Sequence, residues 1–165
     1  MRHVMIGKVV LNIGVGKSGE ALERAKNVLG SLFDRVPSTR KAKQSIRDFG
    51  VHRGDPIGLM VTLRGEKAND ALNLLLAAKE KKIAQTSFDE SGNCSFGIKE
   101  HIDIPGVKYN PDTGIFGMDV SVVLERPGYR VMRRRRARSG IGTKHRLTRN
   151  DSMKFFKETL GVEVF

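Results

Sequence analysis

Lys8-Val-Val-Leu-Asn-Ile-Gly-Val-Gly-Lys-Ser-Gly-Glu-Ala-Leu-Glu-Arg-Ala-Lys-Asn-Val-Leu-Gly-Ser-Leu-Phe33 is the stretch that decides the fold. Lys8–Ile13 is rich in β-branched and apolar residues, the composition of a buried strand. Glycines at 14, 16 and 19 break that strand. From Ser18 or Gly19 the pattern turns helical: Leu22, Ala25, Leu29 and Phe33 fall on one face. Val36-Pro37 stops the helix, because the residue before a proline is pushed out of helical backbone. The chain opens as strand, glycine turn, helix.

Further along, Ser38 to Gln44 reads as a basic loop, followed by strands at Ser45–Val51 and Ile57–Arg64. His52-Arg-Gly-Asp-Pro56 between them is turn chemistry. A second helix is predicted from Glu66 to Ile83, with Ala68, Leu72, Leu75, Leu76 and Lys79 marking its apolar face and edge. Its C-terminal Lys79, Lys81 and Lys82 suit the negative end of the helix dipole. Asp89-Glu-Ser-Gly-Asn93 is a turn before a strand at Cys94–Ile98. A Gly/Pro-rich excursion, Ile104 to Gly114, precedes a strong strand at Phe116–Leu124. Thr148-Arg-Asn-Asp151 caps a last helix to Leu160, and Gly161 ends it. The first six elements match the split β-α-β-β-α-β pattern of ferredoxin-like and RNA-recognition-motif folds. The expected class is α+β: a mostly antiparallel sheet with helices on one face, a basic extension and a C-terminal helix, all in one domain over 1–165. The other sheet face is left uncovered, and in a basic protein that face is a platform for RNA.

Charge points the same way. The 165 residues carry 30 Lys and Arg against 18 Asp and Glu, a net charge of +12. Ten of those bases fall between Arg126 and Arg149, a segment with no acid. A second run, Arg35 to Arg53, holds six bases against Asp48 alone. Together the two runs contribute +15, leaving −3 for the rest. Such asymmetry fits a densely negative partner, and a phosphate backbone is the first candidate. Both runs lie beside Gly and Pro, so they are expected to reach away from the body. The Arg126–Arg149 arm is expected to be loosely ordered until the phosphates of its partner fix it.

Other function classes fit poorly. Gly14-Val-Gly-Lys-Ser-Gly19 is a G-x-G-x-x-G sequence after a strand and before a helix, which raises an NAD-type dinucleotide-binding enzyme as the alternative. The acidic residue expected about twenty positions on is missing: position 39 is Thr, in a basic loop. A Walker A loop would need Gly at position 11, which is Leu. No nucleophile stands with a credible base, and no enzyme activity or cofactor is expected. Cys94 is the sole cysteine, and His3, His52, His101 and His145 lack metal-ligand spacing, so each histidine is expected at the surface or facing RNA. No run of about eighteen apolar residues marks a membrane span. A reducing, cytoplasmic setting is expected. No helix-turn-helix, zinc-finger or basic-zipper pattern supports a DNA-binding regulator. Phe49, Phe96 and Tyr129 are the aromatics placed to stack on bases, with a core role open for Phe49 and Phe96.

Four motifs carry the reading further: Lys8-Val-Val-Leu-Asn-Ile-Gly-Val-Gly16, Pro56-Ile-Gly-Leu-Met-Val-Thr-Leu-Arg-Gly65, Gly92-Asn-Cys-Ser-Phe-Gly-Ile-Lys-Glu100 and Ile115-Phe-Gly-Met-Asp-Val120. In this order they resemble the ribosomal protein L5 family, the universal large-subunit proteins that bind 5S rRNA in the central protuberance. Glu125-Arg-Pro-Gly-Tyr129 and Ile141-Gly-x-x-His-Arg146 are similar to its archaeal and eukaryotic branch. The resemblance implies a 5S rRNA site at Asn12, Gly14, Gly16, Lys17, Arg35, Thr62 and Asp119. Arg35 stands where many members carry Gln, which favours phosphate over base. The resemblance also implies a loop within 38–56 facing the T-arm of P-site tRNA, through Lys43, Gln44, Ser45, Arg47, His52, Arg53 and Gly54, with Arg53-Gly54 at its tip. Arg130, Arg133, Arg134, Arg135, Arg136, Arg138, Lys144 and Arg146 would contact large-subunit rRNA phosphates. Neighbouring 5S-binding proteins and a small-subunit bridge are the implied protein partners.

Overall fold

β1 (Met5–Gly14) runs through the centre of a five-stranded antiparallel sheet. It is flanked by β3 (Pro56–Leu63) and β6 (Met118–Glu125), with β2 (Ser38–Lys41) and β5 (Cys94–Ile98) at the edges, giving the order β2-β3-β1-β6-β5. The computed structural model describes residues 1–16, 19–107 and 114–165, so positions 108–113 of the Gly/Pro-rich excursion lie outside the described residues. Val9, Leu11 and Ile13 of β1 are buried, and so are Leu59, Val61 and Leu63 of β3. The alternate residues point to the opposite face, as the period-two pleat requires.

Two helices cover the buried face. α1 (Glu20–Phe33) packs on β3 through Leu22, Ala25, Leu29 and Phe33, and α2 (Glu66–Ala78) packs on β1 through Ala68, Ala71, Leu72, Leu75 and Leu76. Each buried leucine stabilises the fold by about 1.5–3 kcal/mol. Where α1 ends, Asp34 turns left-handed (φ 45°) and its carboxylate pairs with Lys67 of α2 at 2.8 Å. That hydrogen bond and charge hold the Asp34 carboxyl below the usual carboxylate range. The pair is exposed, so it orients the helix ends more than it stabilises them.

A second layer closes the far end. α3 (Arg130–Arg133) is one turn within the basic segment, and α4 (Arg149–Leu160) carries Phe156, wholly buried, edge-on to Phe88 at 5.3 Å. Ser152 Oγ donates to Gly92 O at 2.6 Å, and a Cβ at Gly92 (φ 78°) would stand 2.7 Å from that hydroxyl. Glycine is required there by both backbone and contact. The chain ends in a parallel pairing of β4 (Lys82–Ile83) with β7 (Glu163–Val164).

The split β-α-β-β-α-β core is present, with two shifts in its strands. The segment Ser45–Val51 is not a strand. It forms a loop with a 3-10 turn at Arg47–Phe49, and the strand lies earlier, at Ser38–Lys41. Cys94–Ile98 does not close the split pattern either. β6 takes the place beside β1, and β5 is an added edge strand outside it. α2 stops at Ala78 and not Ile83, because Glu80 and Lys81 take left-handed backbone (φ 53° and 55°) and turn the chain into β4. The last strand begins at Met118 instead of Phe116, and the capping box of Thr148 and Asp151 forms as its sequence predicts.

Candidate nucleic-acid interface

The uncovered sheet face is set by parity. Even-numbered residues of β1 and β3 and odd-numbered residues of β6 and β5 share it, because cross-strand partners point the same way. Asn12 is paired with Met60 on one side and Asp119 on the other; Met60 pairs outward with Ser38, and Asp119 with Gly97. The neighbouring row holds Thr62, Val10, Ser121 and Ser95, where Ser95 Oγ and Ser121 Oγ lie 3.2 Å apart. Three residues distant in sequence, Asn12, Thr62 and Asp119, are thus brought onto two adjacent rows. Asn12 and Asp119 are exposed and Thr62 half-buried. Among the described residues no side-chain hydrogen bond uses any of the three, so an amide, a hydroxyl and a carboxylate all face outward. Gly97 beside Asp119 leaves its carboxylate open to approach.

The rest of the expected RNA set is more dispersed. Gly14 pairs with Gly58 at the end of β1, and Gly16 follows with φ 76°. Lys17 lies outside the described residues. Arg35 sits in the turn between α1 and β2 and lines a groove with Lys26, Asn27 and Gly30, off the rows of the sheet. Parity would have added Ser38, Met60, Val10, Ser95 and Ser121 to the face; sequence reasoning passed over them because none is charged, although Val10, Met60 and Ser95 lie within the family motifs. Arg40 joins the same edge, its guanidinium 3.2 Å from Met60 Sδ.

In the described part of the glycine turn, the Val15 and Gly16 amides both donate to Ile57 O at 3.0 Å, so neither is free for a pyrophosphate. Glu20 and Glu23 occupy the first turn of α1 and repel a phosphate from the helix end.

The segment 42–55 is a braced hairpin extension of β2 and β3. Ala42 N–H donates to Asp55 O (2.8 Å), Gly54 N–H to Ala42 O (3.0 Å), and Ile46 and Val51 exchange both bonds. Ser45 Oγ accepts from Arg53 N–H at 2.9 Å, and Asp55 accepts from His52 N–H at 2.8 Å. Lys43, Gln44, Ser45, Arg47, His52, Arg53 and Gly54 are all exposed on it. Its tip is Arg47–Gly50, not Arg53-Gly54, which lies on the returning limb near the base. Phe49 stands at that tip, 72% exposed, whereas Phe96 is core at 8%.

The basic arm is folded back at its root instead of reaching freely away. Tyr129 Oη accepts from Leu147 N–H at 2.8 Å and lies 3.4 Å from His145 O, to which it donates. His145 Nε2 lies 2.9 Å from Pro127 O. Arg126, its side chain 13% exposed, meets the carbonyls of His145 and Arg146 and pairs with Asp151 at 3.1 Å. Burial pushes the Asp151 carboxyl up, but hydrogen bonds from Thr148 and the charges of Arg126 and Lys154 outweigh it and hold it low. Arg149 donates to Gln85 O. The ten cations of the segment therefore divide. Arg126 and Arg149 tie the arm down, while Arg130, Arg133, Arg134, Arg135, Arg136, Arg138, Lys144 and Arg146 remain exposed. Of these, Arg133 pairs with Glu125, and Arg134 and Arg146 bond the arm carbonyls of Ala137 and Ile141.

His101 departs from the surface role expected of it. It is buried, and its Nδ1 accepts from Phe116 N–H at 3.3 Å. Burial pushes its pKa down, against a smaller opposing effect of Glu100. Cys94 is buried in the core, and desolvation with the Asp89 charge pushes its thiol up to about 12, so it is inert. No His, Cys, Asp and Glu cluster able to hold a metal occurs among the described residues.

Comparison with known proteins covers almost the whole chain. The family model for ribosomal protein L5 matches residues 1–52, and the model for the C-terminus of the same ribosomal family matches residues 56–158. The two matched segments share one sheet, since β1 and β2 come from the first and β3, β5 and β6 from the second. A large ribosomal subunit protein uL5 from Pyrobaculum aerophilum is 51% identical over 164 residues, covering 99% of this chain and 92% of the relative. The protein of that name from Archaeoglobus fulgidus is 51% identical over 164 residues (99% and 91% covered), and that from Methanobrevibacter smithii 47% over 162 (98% and 95%).

Proposed function

The chain belongs to the ribosomal protein L5 family, and from that membership we propose that it binds 5S rRNA through the uncovered face of its sheet. As a family member it is a structural, RNA-binding component of the large ribosomal subunit in the cytoplasm, and not an enzyme.

The observation that carries the 5S rRNA reading is the placement of Asn12 opposite Asp119, with Thr62 on the adjacent row of an open sheet. These groups are short and held on rigid strands, so they specify. Arginine and lysine, which meet phosphates at many angles, position. A carboxylate is an acceptor only, suited to base amino groups and ribose hydroxyls, and it rejects phosphate. Thr62→Ala or Asp119→Ala is expected to weaken 5S rRNA binding by about 1–3 kcal/mol each. Full affinity in the double variant, measured by filter binding, would remove the sheet from the account.

The remaining roles follow from the same family. The exposed arm arginines bind large-subunit rRNA phosphates and anchor the 5S rRNA complex in the central protuberance. The braced 42–55 hairpin faces the T-arm of P-site tRNA. Neighbouring 5S-binding proteins and a small-subunit bridge complete its contacts. The hairpin's backbone bonds support this reading, because a loop that meets a moving tRNA gains from arriving pre-shaped.

A further inference from the structure

Glu125-Arg-Pro-Gly-Tyr129 joins the last strand of the sheet to the basic arm, and its polar side chains reach back onto that arm. Tyr129 meets Leu147 N–H and His145 O, and Arg126 meets the carbonyls of His145 and Arg146 together with Asp151. Those contacts hold the returning limb. The outgoing limb, α3, is held by Glu125, whose carboxylate pairs with Arg133. The Glu125 side chain is 14% exposed and that of Arg133 46%, so the carboxylate is sheltered while the guanidinium keeps an open side.

The shelter comes from Gly7. β1 is irregular there: Ile6 pairs with Leu124 and Lys8 with Val123, which leaves Gly7 unpaired between them. A bulge of this kind re-aims the side chains around it. A Cβ built on Gly7 would fall on Glu125 Cγ, Cδ and Oε1. Gly7 is not in left-handed backbone, so its conformation alone would admit another residue. Glycine is needed because the Glu125 side chain occupies the space that any other residue would fill.

α3 and the turn after it form one unit. Arg134 N–H donates to Arg130 O at 2.9 Å, Ser139 N–H to Val131 O at 3.3 Å, and Arg134 Nε to Ala137 O at 2.7 Å. Fixing Arg133 therefore fixes the direction in which the whole unit leaves the sheet. Among the described residues Arg130, Arg135, Arg136 and Arg138 pair with no carboxylate, so their charge is left for phosphates.

We propose that Gly7 and Glu125 form a seat for Arg133 that pre-sets the basic arm for RNA, with Glu125 as the positioning residue. An arm ordered before RNA arrives spares binding part of the entropy of ordering it. This consequence for binding rests on the reading of the arm as a phosphate-holding extension; the seat itself does not.

Gly7→Ala in the full chain tests both parts, because it changes no charge and displaces only the flexible end of Glu125. Hydrogen exchange on the free protein is the first readout. The Arg134 and Ser139 amides should exchange about threefold or more faster in Gly7→Ala and in Glu125→Ala. Adding Gly7→Ala to Glu125→Ala should change nothing further, since the space is then vacant. The second readout is binding to an RNA duplex of arbitrary sequence, which phosphate contacts hold. Gly7→Ala should bind about three- to tenfold more weakly, the scale of re-ordering freed side chains. Its log–log salt slope should match the wild type, because no cation is lost. Wild-type exchange at Arg134 and Ser139 in Gly7→Ala would overturn the seat. So would an equal acceleration by Gly7→Ala in the Glu125→Ala background, which would trace the effect to β1 and not to the carboxylate. Faster exchange with wild-type affinity would overturn the pre-setting for RNA, provided that the Arg133, Arg134, Arg135 and Arg136 to Gln variant binds the duplex weakly. If that variant binds as tightly as the wild type, the arm reading falls and takes the binding consequence with it, while exchange still decides the seat.

Discussion

Asp119 is an acidic side chain on the exposed face of a chain with net charge +12, and on the proposed 5S rRNA reading its cross-strand pairing with Asn12 accounts for it. One supplies acceptors and the other both donor and acceptor, side by side on a rigid sheet, a pattern that a single RNA feature can satisfy at once. Residues reading one feature couple. In a double-mutant cycle, Asn12→Ala and Asp119→Ala should depart from additivity by at least about 0.5 kcal/mol in 5S rRNA binding. Strict additivity would mean that they meet separate groups. His101 makes a different prediction. The folded protein binds its proton more weakly than the unfolded chain does, because burial disfavours the imidazolium. Its contribution to stability is therefore full above the unfolded value near pH 6.5 and is lost as pH falls from there through the lowered folded pKa. Urea unfolding across about pH 7.5 to 5 should show this loss, and His101→Leu should flatten it. The Leu variant is also less stable throughout, since Phe116 N–H loses its acceptor.

At the scale of elements, the arm separates into a root and a tip. Tyr129 Oη is the acceptor for Leu147 N–H, and Leu147 is core. Tyr129→Phe leaves that amide without its partner, so thermal unfolding should report a loss of about 1–3 kcal/mol. An unchanged midpoint would show that the root is not held as described. At the tip, Arg133, Arg134, Arg135 and Arg136 changed together to Gln should weaken RNA binding without altering the preference for 5S rRNA. If all four meet phosphates, the log–log salt slope should fall by roughly 3. Sequence exposes these elements unevenly. α1 and α4 were legible because a 3.6-residue apolar stripe and a capping box are local signals. β2 was not: all four of its side chains are exposed, so only backbone pairing to β3 makes it a strand. The apolar residues Ile46, Phe49 and Val51 suggested a strand at 45–51, but they line a cleft instead of burying on a pleat.

At the scale of the whole molecule, the uncovered sheet face followed from the helix and strand order, and the strand order itself did not. β5 and β6 show the same inward alternation, so nothing in either segment says which lies beside β1. Register decides it: Asn12 opposite Asp119 places β6 there and moves β5 outside. The site was legible to the same degree. Family motifs pointed to Asn12, Thr62 and Asp119, and the fold put them on adjacent rows. Arg35 stayed at the edge, and Phe49, open in the sequence between base stacking and the core, stands exposed at the hairpin tip. On the proposed reading, a small polar face selects the RNA and larger basic extensions hold it. The most direct test is selection from total RNA at fixed salt by the full chain and by its Asn12→Ala/Thr62→Ala/Asp119→Ala variant. The wild-type protein should enrich 5S rRNA, and the variant should still retain RNA through its arm but with no preference for 5S. Equal enrichment of 5S rRNA by both proteins would contradict the account.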